Sequence, residues 1–210
     1  MRGLMVKLAL AAALLAASSV ALAQSNTVPS DLTGPPVATT DLVPVAIETS
    51  VGKIVVALDR THAPKTTANF LKYVDLHKFD GEIFYRVMPY DENGGLIQGG
   101  IQSDGRKLLP PVAHEPTDKT GIKNTAGTIS LANAGPGTAR ADFFIMTTDI
   151  PGLDAGPDGP GFAAFGHVVE GMDVVKKIYA SPVSATKGTG EMKGQMLDPP
   201  IKIIKVTRQK

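Results

Sequence analysis

Few side chains in this 210-residue sequence are of a kind, and in a setting, to act on a ligand. Arg86 lies in "EIFYRVM" (82–88), which alternates as a strand. Alternation puts Phe84, Arg86 and Met88 on one face and Ile83, Tyr85 and Val87 on the other. A guanidinium on an apolar face must be paired, must reach water along its stem, or must stand as a fixed donor fork over a groove. Gln98 precedes Gly99-Gly100. Its amide donates and accepts, which suits reading a peptide backbone and equally suits satisfying its own loop. Phe143 and Phe144 are adjacent in a strand and so point to opposite faces. One can fill a core; the other looks into a groove or a capping helix. Between "GTISLAN" and "DFFIMT" lies Ala132-Asn133-Ala134-Gly135-Pro136-Gly137. Residues this small form either a plain connection or a strip of backbone on which another polypeptide can lie.

Other chemistries find little support. There is no cysteine, so disulfides, thiolate metal sites and cysteine nucleophiles are excluded. His62, His77, His114 and His167 are scattered, without the i, i+4 spacing of a zinc motif, and no metal or cofactor is expected. "AGPGTAR" lacks the Gly-Lys-Ser/Thr ending of a phosphate loop. Ser130, Ser181 and Ser184 lie in no G-x-S-x-G context. The net charge of +1, from 21 basic and 20 acidic residues, gives no electrostatic case for nucleic acid or anionic membrane.

The elements that must position these residues begin after a leader. Arg2 and Lys7 precede an apolar stretch, and Ala21-Leu22-Ala23 has the small-x-small form of a cleavage site. Residues 1–23 are therefore expected to be a cleaved signal peptide, leaving no integral membrane anchor and a periplasmic or secreted protein. Residues 24–44, rich in Pro, Ser, Thr and Gly, read as a flexible linker. The domain is expected over 45–210. "VAIET" and "KIVVALD" flank Ser50-Val51-Gly52 as a hairpin. "HAPKTTANFLKYVDLH" reads as a helix with Pro64 in its first turn. Strands follow in "EIFYRVM", "LIQGGI", "GTISLAN", "DFFIMT" and "FAAFGHVV". A second helix, "GMDVVKKIY", opens after Gly171. Residues 181–200 read as loop, and "IKIIKVT" closes the chain. The pattern predicts a mainly β fold, a closed or nearly closed antiparallel barrel of eight strands capped by two α-helices. Nothing suggests more than a monomer.

Taken in order, "GKIVVALDRTHAPKTTANFLKYV", "IFYRVM", "IQGG", "GTISLANAGPGTARADFFIMT", "LDAG" and "FGHVVEGMDVVKKI" resemble the cyclophilin family of peptidyl-prolyl cis-trans isomerases. The resemblance spans about Val45 to Thr207 and implies the eight-stranded barrel capped by two helices. It places Arg86 at the catalytic arginine and Phe144 at the floor of the proline pocket. Gln98 falls at the substrate-reading glutamine. Ala132 and Asn133 line the groove, the backbone of Asn133 pairing with substrate, and Leu153 is the aliphatic wall of the pocket. On this reading the small loop is small because a substrate main chain lies over it.

The sequence also departs from the family pattern. Gly95 stands where an aromatic is common, Leu96 where methionine is common, and Phe162 where many members have histidine. The arginine and the pocket phenylalanine remain, so activity is expected; Asp142, in place of a glutamine, is a charge that could pair with Arg86 and weaken catalysis. Gly152 replaces a tryptophan that contacts cyclosporin, which implies weak binding of that ligand. The resemblance implies a bacterial, exported isomerase that needs no cofactor and acts on proline-containing polypeptides. Two other readings stay open: a module that binds proline segments with little turnover, and a barrel that carries an apolar ligand inside.

Overall fold

The structure, a computed structural model, describes residues 41–102 and 104–210. The expected signal segment 1–23 and most of the expected linker 24–44 lie outside the described residues. Nine strands form one sheet: β1 (Leu42–Thr49), β2 (Gly52–Asp59), β3 (Ile83–Asp91), β4 (Gly94–Gly100), β5 (Thr128–Leu131), β6 (Phe143–Met146), β7 (Ala163–Glu170), β8 (Val183–Ser184) and β9 (Met196–Arg208). The helices are α1 (Pro64–Asp75), the single turn α2 (Thr117–Thr120) and α3 (Met172–Tyr179). None of the helices among the described residues is long and apolar enough to cross a membrane.

The sheet order is β1-β2-β7-β5-β6-β4-β3-β9, and β9 pairs back onto β1. That closes an eight-stranded antiparallel barrel, with β8 as a further strand on β9. The interior is filled by side chains: Ile47, Ile54, Leu58, Phe84, Ile97, Ile129, Leu131, Phe143 and Phe165 are fully buried. This packing leaves no case for a ligand inside the barrel. Pro64 opens α1, where a missing N–H costs nothing, and the helix turns Phe70, Leu71 and Val74 inward. Phe70 meets Phe143 edge-on at 5.4 Å between centroids and Phe165 at 5.3 Å, so α1 is keyed into the barrel by aromatic contact. α3 buries Val174, Val175 and Ile178 and packs against β2 and β4.

Two boundaries differ from the sequence reading. β1 starts at Leu42, so three residues of the expected linker are strand. Pro44 hides this, yet it is tolerated. Its carbonyl accepts from Gln209 N–H at 2.8 Å, so its missing donor faces only the frayed end of β9. Residues 181–200 are not all loop. β8 pairs Val183 with Leu197 and Ser184 with Met196, and β9 has begun by then. The β3–β9 register jumps from Phe84–Ile201 to Arg86–Met196. Asp198, Pro199 and Pro200 thus fall in the part of β9 looped away from β3, where prolines forfeit no ladder bond.

Candidate active site

The site lies on the outer surface of the sheet, and a β-bulge builds it. Phe84 pairs with Gly99 and Arg86 with Gln98, so Tyr85 is an extra residue in β3. The bulge resets the alternation. Phe84 is fully buried in the barrel against Phe143, while Arg86 and Met88 face the outer groove and Val87 returns to the core. The expectation that Phe84, Arg86 and Met88 share one face is therefore overturned.

With the faces set, the ladder aligns the site across four strands. Ser130 pairs with Phe144, Phe144 with Gln98, and Gln98 with Arg86. One step along lie Met146, Leu96 and Met88. Phe143 and Phe144 split as alternation requires. Phe143 joins the barrel core, whereas Phe144, Leu96, Met146 and Ile150 form a separate apolar cluster with Met88, Ala132, Leu153 and Phe162 packed on it. Phe144 and Phe162 meet edge-on at 5.3 Å.

Above this cluster is a cavity of about 150 Å³, lined by Arg86, Met88, Leu96, Gln98, Ala132, Asn133, Phe144, Leu153 and Phe162. Drug-sized ligands occupy roughly 300–1,000 Å³, so this space suits a single small ring. Eight of the nine residues expected at the site line it. The ninth, Asp142, lines a neighbouring cavity of about 560 Å³ that shares Gln98, Ala132 and Asn133 with the first.

Arg86 is held on two of its three nitrogens. Nε donates to Gln195 Oε1 at 2.8 Å, and Nη1 donates to Gln98 Oε1 at 2.9 Å. Among the described residues Nη2 makes no hydrogen bond. The fork is thus fixed in the plane its partners define, with one edge left for a ligand. Half-burial lowers the guanidinium from its ordinary value, with Tyr85 and Glu191 opposing that shift, and an arginine stays a cation throughout. Gln98 gives its carbonyl to Arg86, which directs its NH₂ away from that bond.

Asp142 does not pair with Arg86, the pairing that its charge made possible. Its Oδ2 accepts from the Tyr85 hydroxyl at 3.3 Å and its Oδ1 from Gln102 N–H at 3.0 Å. Burial raises the Asp142 carboxyl above its ordinary value. Burial, and then Asp142 itself, push the Tyr85 phenol well up, so it remains a neutral donor.

The opposite wall is a pinned loop. Asn124, 1% exposed, donates through Nδ2 to Leu153 O at 2.9 Å and accepts at Oδ1 from Ser130 Oγ at 2.7 Å. Phe162 N–H donates to Leu153 O at 2.9 Å. These bonds hold Leu153 over Phe144. The first part of the 132–137 strip is tied on either side of Asn133: Ala132 N–H donates to Asp142 O at 2.8 Å, and Ala134 N–H to Thr138 Oγ1 at 2.9 Å. Between them, the backbone N–H and C=O of Asn133 make no hydrogen bond among the described residues.

Sequence reasoning missed Gln195 and Asn124. Gln195 reaches Arg86 across 109 residues from a stretch read as loop, and Asn124 carries no local signal. Gly95 has a structural reason of its own. A Cβ there would lie 1.9 Å from Met88 O, so only glycine fits against β3, and Met88 supplies the apolar surface on that side. The histidines lie elsewhere: His62 on Asp59 at 2.7 Å, His77 on Asp80 at 3.3 Å, His114 on Pro160 O at 2.9 Å, and His167 beneath Gly127.

A family described as "Cyclophilin type peptidyl-prolyl cis-trans isomerase/CLD" matches residues 44–208. Peptidyl-prolyl cis-trans isomerase A of Dickeya dadantii is 40% identical over 148 residues, which cover 69% of this chain and 75% of that protein. Peptidyl-prolyl cis-trans isomerase B of Escherichia coli is 38% identical over 141 residues, 64% of this chain and 82% of that one. Among solved structures, a cyclophilin type peptidyl-prolyl cis-trans isomerase of Cryptosporidium parvum, crystallised in the presence of the dipeptide Ala-Pro, superposes with a TM-score of 0.65 at 22% identity. It covers 80% of this chain and 99% of its own.

Proposed function

Since the chain belongs to the cyclophilin-type peptidyl-prolyl cis-trans isomerase family, we propose that its isomerase activity is carried by Arg86 acting over the Phe144 pocket. The enzyme accelerates rotation about X-Pro bonds, as the family and its named relatives do. Rotation about a peptide bond faces a barrier of about 18–20 kcal/mol that comes from amide resonance. Uncatalysed X-Pro exchange takes roughly tens to hundreds of seconds. A donor to the imide nitrogen favours the pyramidal, twisted form in which that resonance is lost.

Arg86 is suited to this donation because it lines the pocket, Gln98 and Gln195 fix two of its nitrogens, and Nη2 has no partner among the described residues. That arrangement is the observation that carries the proposal. Phe144, Met88, Leu96, Leu153 and Phe162 hold the proline ring while the other half of the bond turns. The unpaired backbone of Asn133 and the NH₂ of Gln98 bind the substrate main chain. Holding the twisted state better than either planar state is what accelerates the rotation. No proton transfer, nucleophile or cofactor enters the step. The substitutions at Asp142 and Gly152 were the ground for a groove that binds without turnover; of these, the Asp142 carboxylate is occupied by Tyr85 and Gln102.

The test is exchange NMR on an Ala-Pro peptide with wild type and Arg86→Ala at equal concentration. Fast cis-trans exchange that collapses in the mutant supports the assignment. Exchange that survives in the mutant refutes it.

We further propose that the enzyme is bacterial, monomeric and exported, and assists the folding of exported proteins. The support is the basic start, the apolar run and Ala21-Leu22-Ala23. N-terminal sequencing of the mature protein should then read from Gln24; an intact Met1 in the cytoplasm would contradict it.

A further inference from the structure

The larger cavity beside the proline pocket contains a carboxylate that forms no ion pair among the described residues. Asp142 accepts from Gln102 N–H at Oδ1 and from the Tyr85 hydroxyl at Oδ2, with the Ile101 N–H also turned toward it, and it forms no salt bridge among the described residues. A carboxylate has about four acceptor sites, and a half-buried one without a cation is poorly compensated. Among the described residues, the other charged group lining this cavity is Arg140. Its Nη1 is committed to Leu109 O at 2.6 Å. The apolar surface of the same cavity comes from Leu108, Met192 and Met196.

Strand geometry connects the two cavities. In an extended peptide, side chains two residues apart point the same way and lie roughly 6.5–7 Å apart along the chain. A proline ring seated over Phe144 therefore directs the side chain two residues away toward the adjoining space past Asn133.

We propose that Asp142 makes this enzyme select substrates with a cationic side chain, lysine or arginine, two residues from the proline. The stem packs on Leu108, Met192 and Met196, and the charged head reaches Asp142. This inference rests on the proline pocket being where the Proposed function places it.

The test is isomerisation of short peptides carrying Lys, Nε-acetyl-lysine, Gln or Glu two residues before the proline, and a matching set with the variable residue two after it. One of the two Lys peptides should be turned over about fivefold better than its acetyl-lysine counterpart. Which set shows the effect fixes the direction in which the chain lies. In Asp142→Asn the Lys to acetyl-lysine ratio should fall to about one, whatever that variant's absolute rate. Wild type alone already decides the matter if the variant fails to fold. Equal turnover of Lys and acetyl-lysine in both sets, with the Ala-Pro peptide still isomerised, would overturn this inference and leave the proline pocket standing. Preference for Glu would overturn it in favour of Arg140. No turnover of any peptide would overturn the pocket assignment and this inference with it.

Discussion

Gln195→Leu should separate the positioning of Arg86 from its mere presence. The substitution keeps most of the side-chain volume and removes the acceptor for Arg86 Nε. It leaves the backbone tie in place, because Val87 N–H still donates to Gln195 O at 2.9 Å. A hydrogen bond to a charged group is worth about 1.5–3 kcal/mol. Water can reach a half-buried guanidinium and recover part of that, so the lower end applies. About 1.4 kcal/mol off the transition state is a tenfold loss in rate. Line-shape analysis of catalysed exchange, from low to saturating peptide, reads turnover and affinity separately. Turnover should fall about tenfold, with peptide affinity changed little. The double variant Arg86→Ala, Gln195→Leu should be no slower than Arg86→Ala alone, since Gln195 acts through Arg86. Wild-type turnover in Gln195→Leu would refute the positioning argument. So would a full tenfold loss in the Arg86→Ala background.

Phe144→Ala should weaken peptide binding more than Phe144→Leu, because it removes the pocket floor and the edge-on partner of Phe162, and peptide titration by NMR reads the difference. Gly95→Ala should cost about 2–3 kcal/mol or more in urea unfolding, since its Cβ would sit 1.9 Å from a carbonyl oxygen that the β3–β4 ladder holds in place. Asp142→Asn should raise stability at neutral pH. Burial lifts the folded carboxyl above its unfolded value of 3.8, so between the two values the folded state binds the extra proton. Stability then falls as pH rises through that window, and the ionised carboxylate is a burden above it. The gain in the asparagine variant should shrink as pH is lowered toward 3.8, and unfolding curves at neutral and acid pH check the sign.

The barrel was legible because its strands and helices announce themselves locally. Pro64 marks the start of α1, Gly171 that of α3, and alternating apolar residues mark the strands. The site was legible only in part, and Arg86 shows why. Period-two alternation placed it on the face of Phe84. The bulge at Tyr85 put Phe84 inside the barrel and Arg86 outside it. Nothing in "IFYRVM" reports that extra residue, because a bulge is a mismatch between two strands and neither strand alone contains it. The same holds for Gln195 and Asn124, whose roles come from partners distant in sequence. Asp142 is the sharper case. Its possible pairing with Arg86 was a local inference from charge, and the carboxylate accepts instead from the hydroxyl of the bulged Tyr85. One inserted residue thus turns Arg86 to the outer groove and sets the Tyr85 hydroxyl on Asp142, which is left without an ion pair among the described residues. The proposed action of the arginine on a prolyl bond and the proposed choice of neighbouring side chain by the carboxylate both depend on that bulge.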